Sequence, residues 1–272
     1  MKAIVNKQVC HLYTRPTRAC SLTDEVLYGM VVELLEEVQP GWYRIRTHYR
    51  YEGIVAAENL ILDPEKVALW EALPKKTVRN KNACDVLNQP KVQGWHMQAL
   101  TKGALIVPVG EQENGWQQVQ LADGRFGFVP EAILGTYYDS PLSEDEDTLR
   151  QALVDAAMSY VGTAYRWGGK SPLGIDCSGL CSAAYMLCGI LIYRDARIVE
   201  GFPIHEISLE KIKPGDLLFF PGHVAMYIGG DRYCHSTGKR GDNGFAINSL
   251  NPEHPDYRED LRNKITQVGS YF

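Results

Sequence analysis

Asp176-Cys177-Ser178-Gly179-Leu180 is the stretch from which the C-terminal half can be read. A glycine-rich segment, Trp167-Gly168-Gly169-Lys170-Ser171-Pro172, leads into it, and apolar residues continue to Leu187 before Gly189. That pattern predicts a loop, then a helix over about Cys177–Leu187 stopped by Gly189. Asp176 is placed to cap the helix. A cysteine in the first helical turn faces unpaired N–H groups and the positive end of the helix dipole, which favour thiolate over thiol. The same N–H groups can stabilise an oxyanion, so one position supplies a nucleophile and part of an oxyanion hole.

A sulfur nucleophile needs a base. Further on, Asp216-Leu217-Leu218-Phe219-Phe220 reads as a strand leading into a hairpin with arms His223–Ile228 and Arg232–Ser236 around Gly229-Gly230-Asp231. Alternation puts His223, Ala225 and Tyr227 on one face, with Tyr233 and His235 together on the second arm. Centring the hairpin on Gly229 places His223 and His235 as near-neighbours across the arms. A base next to the nucleophile, oriented by a second polar group, is the general arrangement of an activated nucleophile. His223 is then the expected base and His235 its orienter.

The other six cysteines read as small buried hydrophobes or ordinary thiols, and an odd count of seven without regular spacing fits a reducing compartment. No C-x-x-C or H-x-x-x-H pair suggests zinc, and no cofactor is needed for this chemistry. His11, His48, His96, His205 and His254 lie in no comparable frame.

The N-terminal half is repetitive. Gly41-Trp42 precedes Gly53-Ile54-Val55 as Gly115-Trp116 precedes Gly127-Phe128-Val129, and Leu60 and Leu134 keep the same offset of 74 (115 − 41 and 134 − 60). A fixed offset means two copies of one unit. Alternating Trp42–Arg46 and Trp116–Gln120 read as strands, and Ala122-Asp123-Gly124 as a turn. Units of this size suggest small β-barrels.

Between the halves, Ser143-Glu144-Asp145-Glu146-Asp147-Thr148 reads as a helix start, where acids are welcome. The helix is expected over 148–161, with Leu149, Leu153, Ala156, Ala157 and Tyr160 on one face. Net charge is −5 without a long basic run, which argues against nucleic acid as the main partner. No run of 18 apolar residues suggests a membrane span. The N-terminus carries no apolar signal-like segment, so the expected location is the cytoplasm.

Four successive blocks carry a resemblance: Tyr165-Arg166-Trp167-Gly168-Gly169; Asp176–Leu180; Pro214-Gly215-Asp216-Leu217-Leu218-Phe219-Phe220; and Gly222-His223-Val224-Ala225-Met226-Tyr227-Ile228-Gly229. In this order they resemble NlpC-type cell-wall cysteine peptidases over about residues 148–272, with His235 at the third polar position. Residues 1–137 resemble bacterial SH3-like domains. The resemblance implies an α+β chain: an SH3-like domain at 1–66, a second at 67–140, and a papain-like catalytic domain at 141–272.

Two SH3-like domains ahead of such a domain resemble the γ-D-glutamyl-L-diamino acid endopeptidases. That subgroup cuts between γ-D-Glu and the diamino acid in murein peptides with a free N-terminal L-Ala. The resemblance implies Cys177, His223 and His235 as the catalytic set. It implies Asp176 as the amine partner, with Ser178 and Tyr165 lining the site and Tyr51 contributed by the first SH3-like domain. It also implies an acid from an earlier loop of that domain. Here Ser21 stands at that place, with Asp24 and Glu25 nearby.

Two other readings fit the same residues. One is an inactive cell-wall or peptide-binding module, distinguished by an ordinary pH profile for Cys177 alkylation around the free-thiol value of about 8.5. The other is an amidase or acyltransferase, distinguished by its products.

Overall fold

The computed structural model describes residues 1–272. The chain divides into two compact units, Met1–Tyr137 and Tyr138–Phe272.

The first unit carries the repeat. Strands Val31–Gln39, Trp42–Thr47 and Glu52–Ala56 recur as Leu105–Glu113, Trp116–Gln120 and Phe126–Pro130. Each copy forms a seven-stranded antiparallel sheet, and the spatial strand order of the second repeats that of the first. This fits the SH3-like expectation. Alternation explains the burial: Val32, Leu34 and Ile45 point inward in one copy, as Ile106 and Val119 do in the other.

Helix α1, Pro64–Ala72, joins the sheets. Asp63 caps it by accepting from Glu65 N and Lys66 N, and Pro64 occupies the first turn, where its missing N–H costs nothing. Trp70 is buried, and its Nε1 donates to Gly29 O at 2.8 Å. It shares a core with Ile4 and Tyr28 of the first copy and with Val78, Ile106 and Val119 of the second. The Ala122 N–H donates to Tyr28 Oη at 2.8 Å across the copies. The copies are therefore fused through one core rather than strung as beads.

The second unit packs helices on an antiparallel sheet. Helix α2 is Glu146–Met158 and helix α3 is Cys177–Leu187. The sheet orders its strands His205–Ile207, Gln267–Ser270, Leu217–Phe220, His223–Gly229, Arg232–Thr237 and Gly244–Ser249. One face meets the helices: Leu149, Leu153, Leu180 and Ala184 pack with Leu217, Phe219, Val224 and Met226. The other face holds Leu218, Phe220, Ala225, Tyr233 and Val268. Each fully buried large apolar side chain contributes roughly 2 kcal/mol.

Helix α2 starts two residues before the expected Thr148, because Asp145 takes the cap and accepts from Thr148 N at 2.9 Å. It ends at Met158 rather than 161, yet Leu149, Leu153, Ala156, Ala157 and Tyr160 are all buried as the periodicity requires. Asp216 ties helix to sheet. Its Oδ1 accepts from Arg150 Nη1 at 3.0 Å and Ser270 Oγ at 2.7 Å, while its Oδ2 accepts from Lys213 N at 2.8 Å.

Candidate active site

Helix α3 begins where the sequence places it, and the cap geometry says why. Asp176 is extended, with φ −96° and ψ −179°, and its Oδ1 accepts from Gly179 N at 2.6 Å. The glycine loop then packs on the first turn. A Cβ on Gly179 would stand 2.0 Å from Gly169 O, so only glycine admits this approach. Cys177 is thereby held at the helix mouth, with its own N–H free of any intrahelical acceptor.

Asp176 is more heavily engaged than a cap requires. Arg194 Nη1 reaches its Oδ1 and Nη2 its Oδ2, each at 3.1 Å, and Gly168 N donates to Oδ2 at 2.8 Å. Ser178 Oγ donates to Oδ1 at 3.3 Å and accepts from Arg194 Nη1 at 2.7 Å. Arg194 is 1% exposed, so this is a buried, bidentate ion pair. Its donors occupy the carboxylate that the resemblance assigns to a substrate amine. Nothing local in Tyr193-Arg194-Asp195 signals that role, and sequence reading missed it.

Cys177 is 8% exposed. Its thiol meets the backbone N–H groups of Val224 and Ser178, which favour the thiolate, as does the Arg194 guanidinium. Burial and the Asp176 carboxylate oppose them and win, so the thiol is held above its ordinary value. The helix-start argument foresaw the Ser178 N–H but not the Val224 N–H of the strand or Arg194, and it could not see the desolvation that outweighs all three. Val224 directly follows His223, so the backbone contact with the sulfur is one residue from the candidate base.

His223 Nε2 and His235 Nδ1 lie 2.7 Å apart. They are near-neighbours across the hairpin, as expected, although the ladder does not pair them directly. The ladder pairs Met226 with Cys234 and Tyr227 with Tyr233, so His235 falls opposite Ala225, two residues from His223. The pairing shifts by one residue between Tyr227 and Gly229, and the even offset of two between the histidines keeps both rings on one face. The imidazoles close the diagonal edge to face, with centroids 5.0 Å apart and planes at 76°.

Burial pushes His223 down to about 3, helped by His235 and Arg258. It pushes His235 down to about 4, against the raising effect of its bond to Asn248. His235 Nε2 meets Asn248 Oδ1 at 2.8 Å. Asn248 is a second residue that the sequence reading did not find.

Tyr165 is half-buried and stands in the fields of Cys177 and Asp176. Burial first, then those two groups, push its phenol up to about 12. Tyr51 belongs to the first unit, in the turn before strand Glu52–Ala56, where its N–H donates to Thr47 Oγ1 at 3.0 Å. Ser21 is exposed, whereas Asp24 and Glu25 are fully buried in strand Leu22–Leu27, with Tyr49 Oη donating to Asp24 Oδ2 at 2.5 Å.

The NlpC/P60 family model matches residues 162–258, the span holding Cys177, His223 and His235. The chain is 44% identical to dipeptidyl-peptidase 6 of Lysinibacillus sphaericus over 275 residues, covering 100% of both chains. It is 33% identical over 149 residues to the γ-D-glutamyl-L-lysine dipeptidyl-peptidase of Bacillus subtilis, covering 49% of this chain and 46% of that one. The crystal structure of an NlpC/P60 family protein from Bacillus cereus superposes with a TM-score of 0.78 at 20% identity, over 100% of this chain and 99% of that one, a likeness of fold. Sequence blocks, full-length similarity and fold agree: the chain belongs to the NlpC/P60 family of cell-wall peptidases.

Proposed function

We propose that the protein is a cysteine endopeptidase that cuts the bond between γ-D-Glu and the diamino acid of murein peptides with a free N-terminal L-Ala. The observation that carries this reading is the thiol at a helix mouth beside a strand whose first residue belongs to a bonded histidine pair. The names of the two relatives, a dipeptidyl-peptidase and a γ-D-glutamyl-L-lysine dipeptidyl-peptidase, support the bond and the substrate class.

In this reading residues 141–272 form a papain-like domain behind SH3-like domains at 1–66 and 67–140. Cys177 Sγ attacks the γ-carbonyl carbon of D-Glu while its proton passes to His223. The tetrahedral oxyanion meets the Cys177 N–H. The C–N bond then breaks, and the diamino acid leaves as an amine carrying the proton from His223. Water attacks the thioester, giving a proton to His223, and the C–S bond breaks to release L-Ala-γ-D-Glu and restore the thiol. His235 orients the base throughout. Tyr165 and Ser178 line the substrate end of the site. Asp176 contributes there as a carboxylate already paired with Arg194, so it orients the wall more than it supplies free charge.

Mass spectrometry of digests of L-Ala-γ-D-Glu-L-Lys and its diaminopimelate counterpart, with free and acetylated N-termini, tests this. Release of L-Ala-γ-D-Glu from the free peptides alone is the expected result. Cleavage at another amide would make the chain an amidase, and no cleavage would leave a binding module.

A further inference from the structure

Hydrogen bonds beyond the histidine pair leave one consistent set of protons. Asn248 Nδ2 lies 3.0 Å from Asp256 O. A backbone carbonyl only accepts, so the amide NH2 must face it. The Asn248 carbonyl oxygen therefore faces His235 Nε2, at 2.8 Å. That oxygen is also acceptor only, so His235 Nε2 carries a proton. Burial holds His235 neutral, so its Nδ1 is bare and accepts. The group 2.7 Å from that lone pair, His223 Nε2, must then donate. With the Nε2 proton fixed, the neutral His223 ring is left with Nδ1 as its only basic nitrogen.

We propose that Asn248 is a positioning residue that sets the tautomers of both histidines, so that His223 keeps its proton on Nε2 and accepts the thiol proton on Nδ1. The inference rests on the reading of His223 as the base. His223 Nε2 stays protonated in both the neutral ring and the imidazolium, so only Nδ1 gains and loses a proton during a turnover.

The relay ends on a fixed anchor. Asp256 O also accepts from Ser249 N at 3.0 Å, and the Asp256 carboxylate accepts from Arg232 Nε at 3.1 Å. Tyr257 bridges to Ser249, tying the segment to the strand that carries Asn248. Without the Asn248 oxygen, His235 is free to carry its proton on Nδ1. It would then face the Nε2 of His223 with a donor, and His223 would move its own proton to Nδ1, away from productive use.

The test is two-bond 1H–15N correlation of the full-length protein labelled with 15N-histidine, beside kinetics on the murein tripeptide. The wild type should show Nε2–H and bare Nδ1 at both His223 and His235. Asn248→Leu, close in shape, should mix the tautomers of both rings and lower kcat about tenfold or more with KM little changed. Asn248→Asp keeps the acceptor towards His235 while losing the donor to Asp256 O, and should recover the tautomer order and part of kcat at a cost in stability. A wild-type spectrum with Nδ1–H on His235, or unchanged tautomers in Asn248→Leu, overturns the inference. The wild-type spectrum decides even if Asn248→Leu fails to fold. Correct tautomers without cleavage of the tripeptide would instead count against the proposed function.

Discussion

His223 and His235 share a 2.7 Å contact between ring nitrogens, and burial keeps both rings neutral. Arg258 adds to this by opposing a positive charge on either ring, while Asp242 and Asp260 act the other way on His235. Burial thus favours the neutral form of the thiol as well as of both imidazoles.

Stability should fall as the solution is acidified. The folded values of about 3 and 4 lie below the ordinary histidine value of about 6.5, so the unfolded chain binds more protons in between. The contribution is fully present above pH ~6.5 and is lost as pH drops through that window towards the folded values, at up to about 1.4 kcal/mol per pH unit for each ring. Urea midpoints measured from pH 7.5 to 5, above the carboxylate range, should decline. A flat profile would mean the rings are not held neutral.

Alkylation of Cys177 by iodoacetamide should be slow at neutral pH and rise only above the ordinary thiol range, because burial outweighs the Val224 and Ser178 N–H groups. High reactivity persisting at pH 6 would show a preformed thiolate instead. With a buried thiol, alkylation no longer separates enzyme from binding module; product formation does.

Breaking the buried pair should destabilise the second unit. Asp176→Asn leaves Arg194 charged and buried with a weaker acceptor, and Arg194→Met leaves the Asp176 carboxylate facing only neutral donors. Losses of about 3–5 kcal/mol are expected for the unpaired charge. Thermal denaturation checks it. A change confined to KM, with the melting temperature unmoved, would give Asp176 a substrate role alone.

Gly179→Ala should disable the site without touching a reacting atom. The added methyl would meet Gly169 O at 2.0 Å and push the loop off the helix mouth. A stability cost of about 1–3 kcal/mol and loss of activity are expected. Wild-type turnover would show that the loop can move aside at no cost.

The sequence carried the features governed by local periodicity. The offset of 74 survives as matched strands, and the helix starting at Cys177 follows from a cap and a glycine stop. Alternation put the two histidines on one face, but the ladder that sets them two residues off direct opposition, with its one-residue shift between Tyr227 and Gly229, had no sequence signature. Arg194 and Asn248 escaped because each meets its partner through the tertiary fold, 18 and 13 residues away along the chain. The raised thiol escaped for the same reason. A dipole can be read from position in a helix, whereas desolvation depends on what packs over it.

The most direct measurement is turnover of L-Ala-γ-D-Glu-L-Lys by wild type and Cys177→Ala, followed by mass spectrometry of the products. The account predicts L-Ala-γ-D-Glu and free lysine from the wild type, and no dipeptide above the uncatalysed background from a folded Cys177→Ala. Equal release by the two proteins would contradict it.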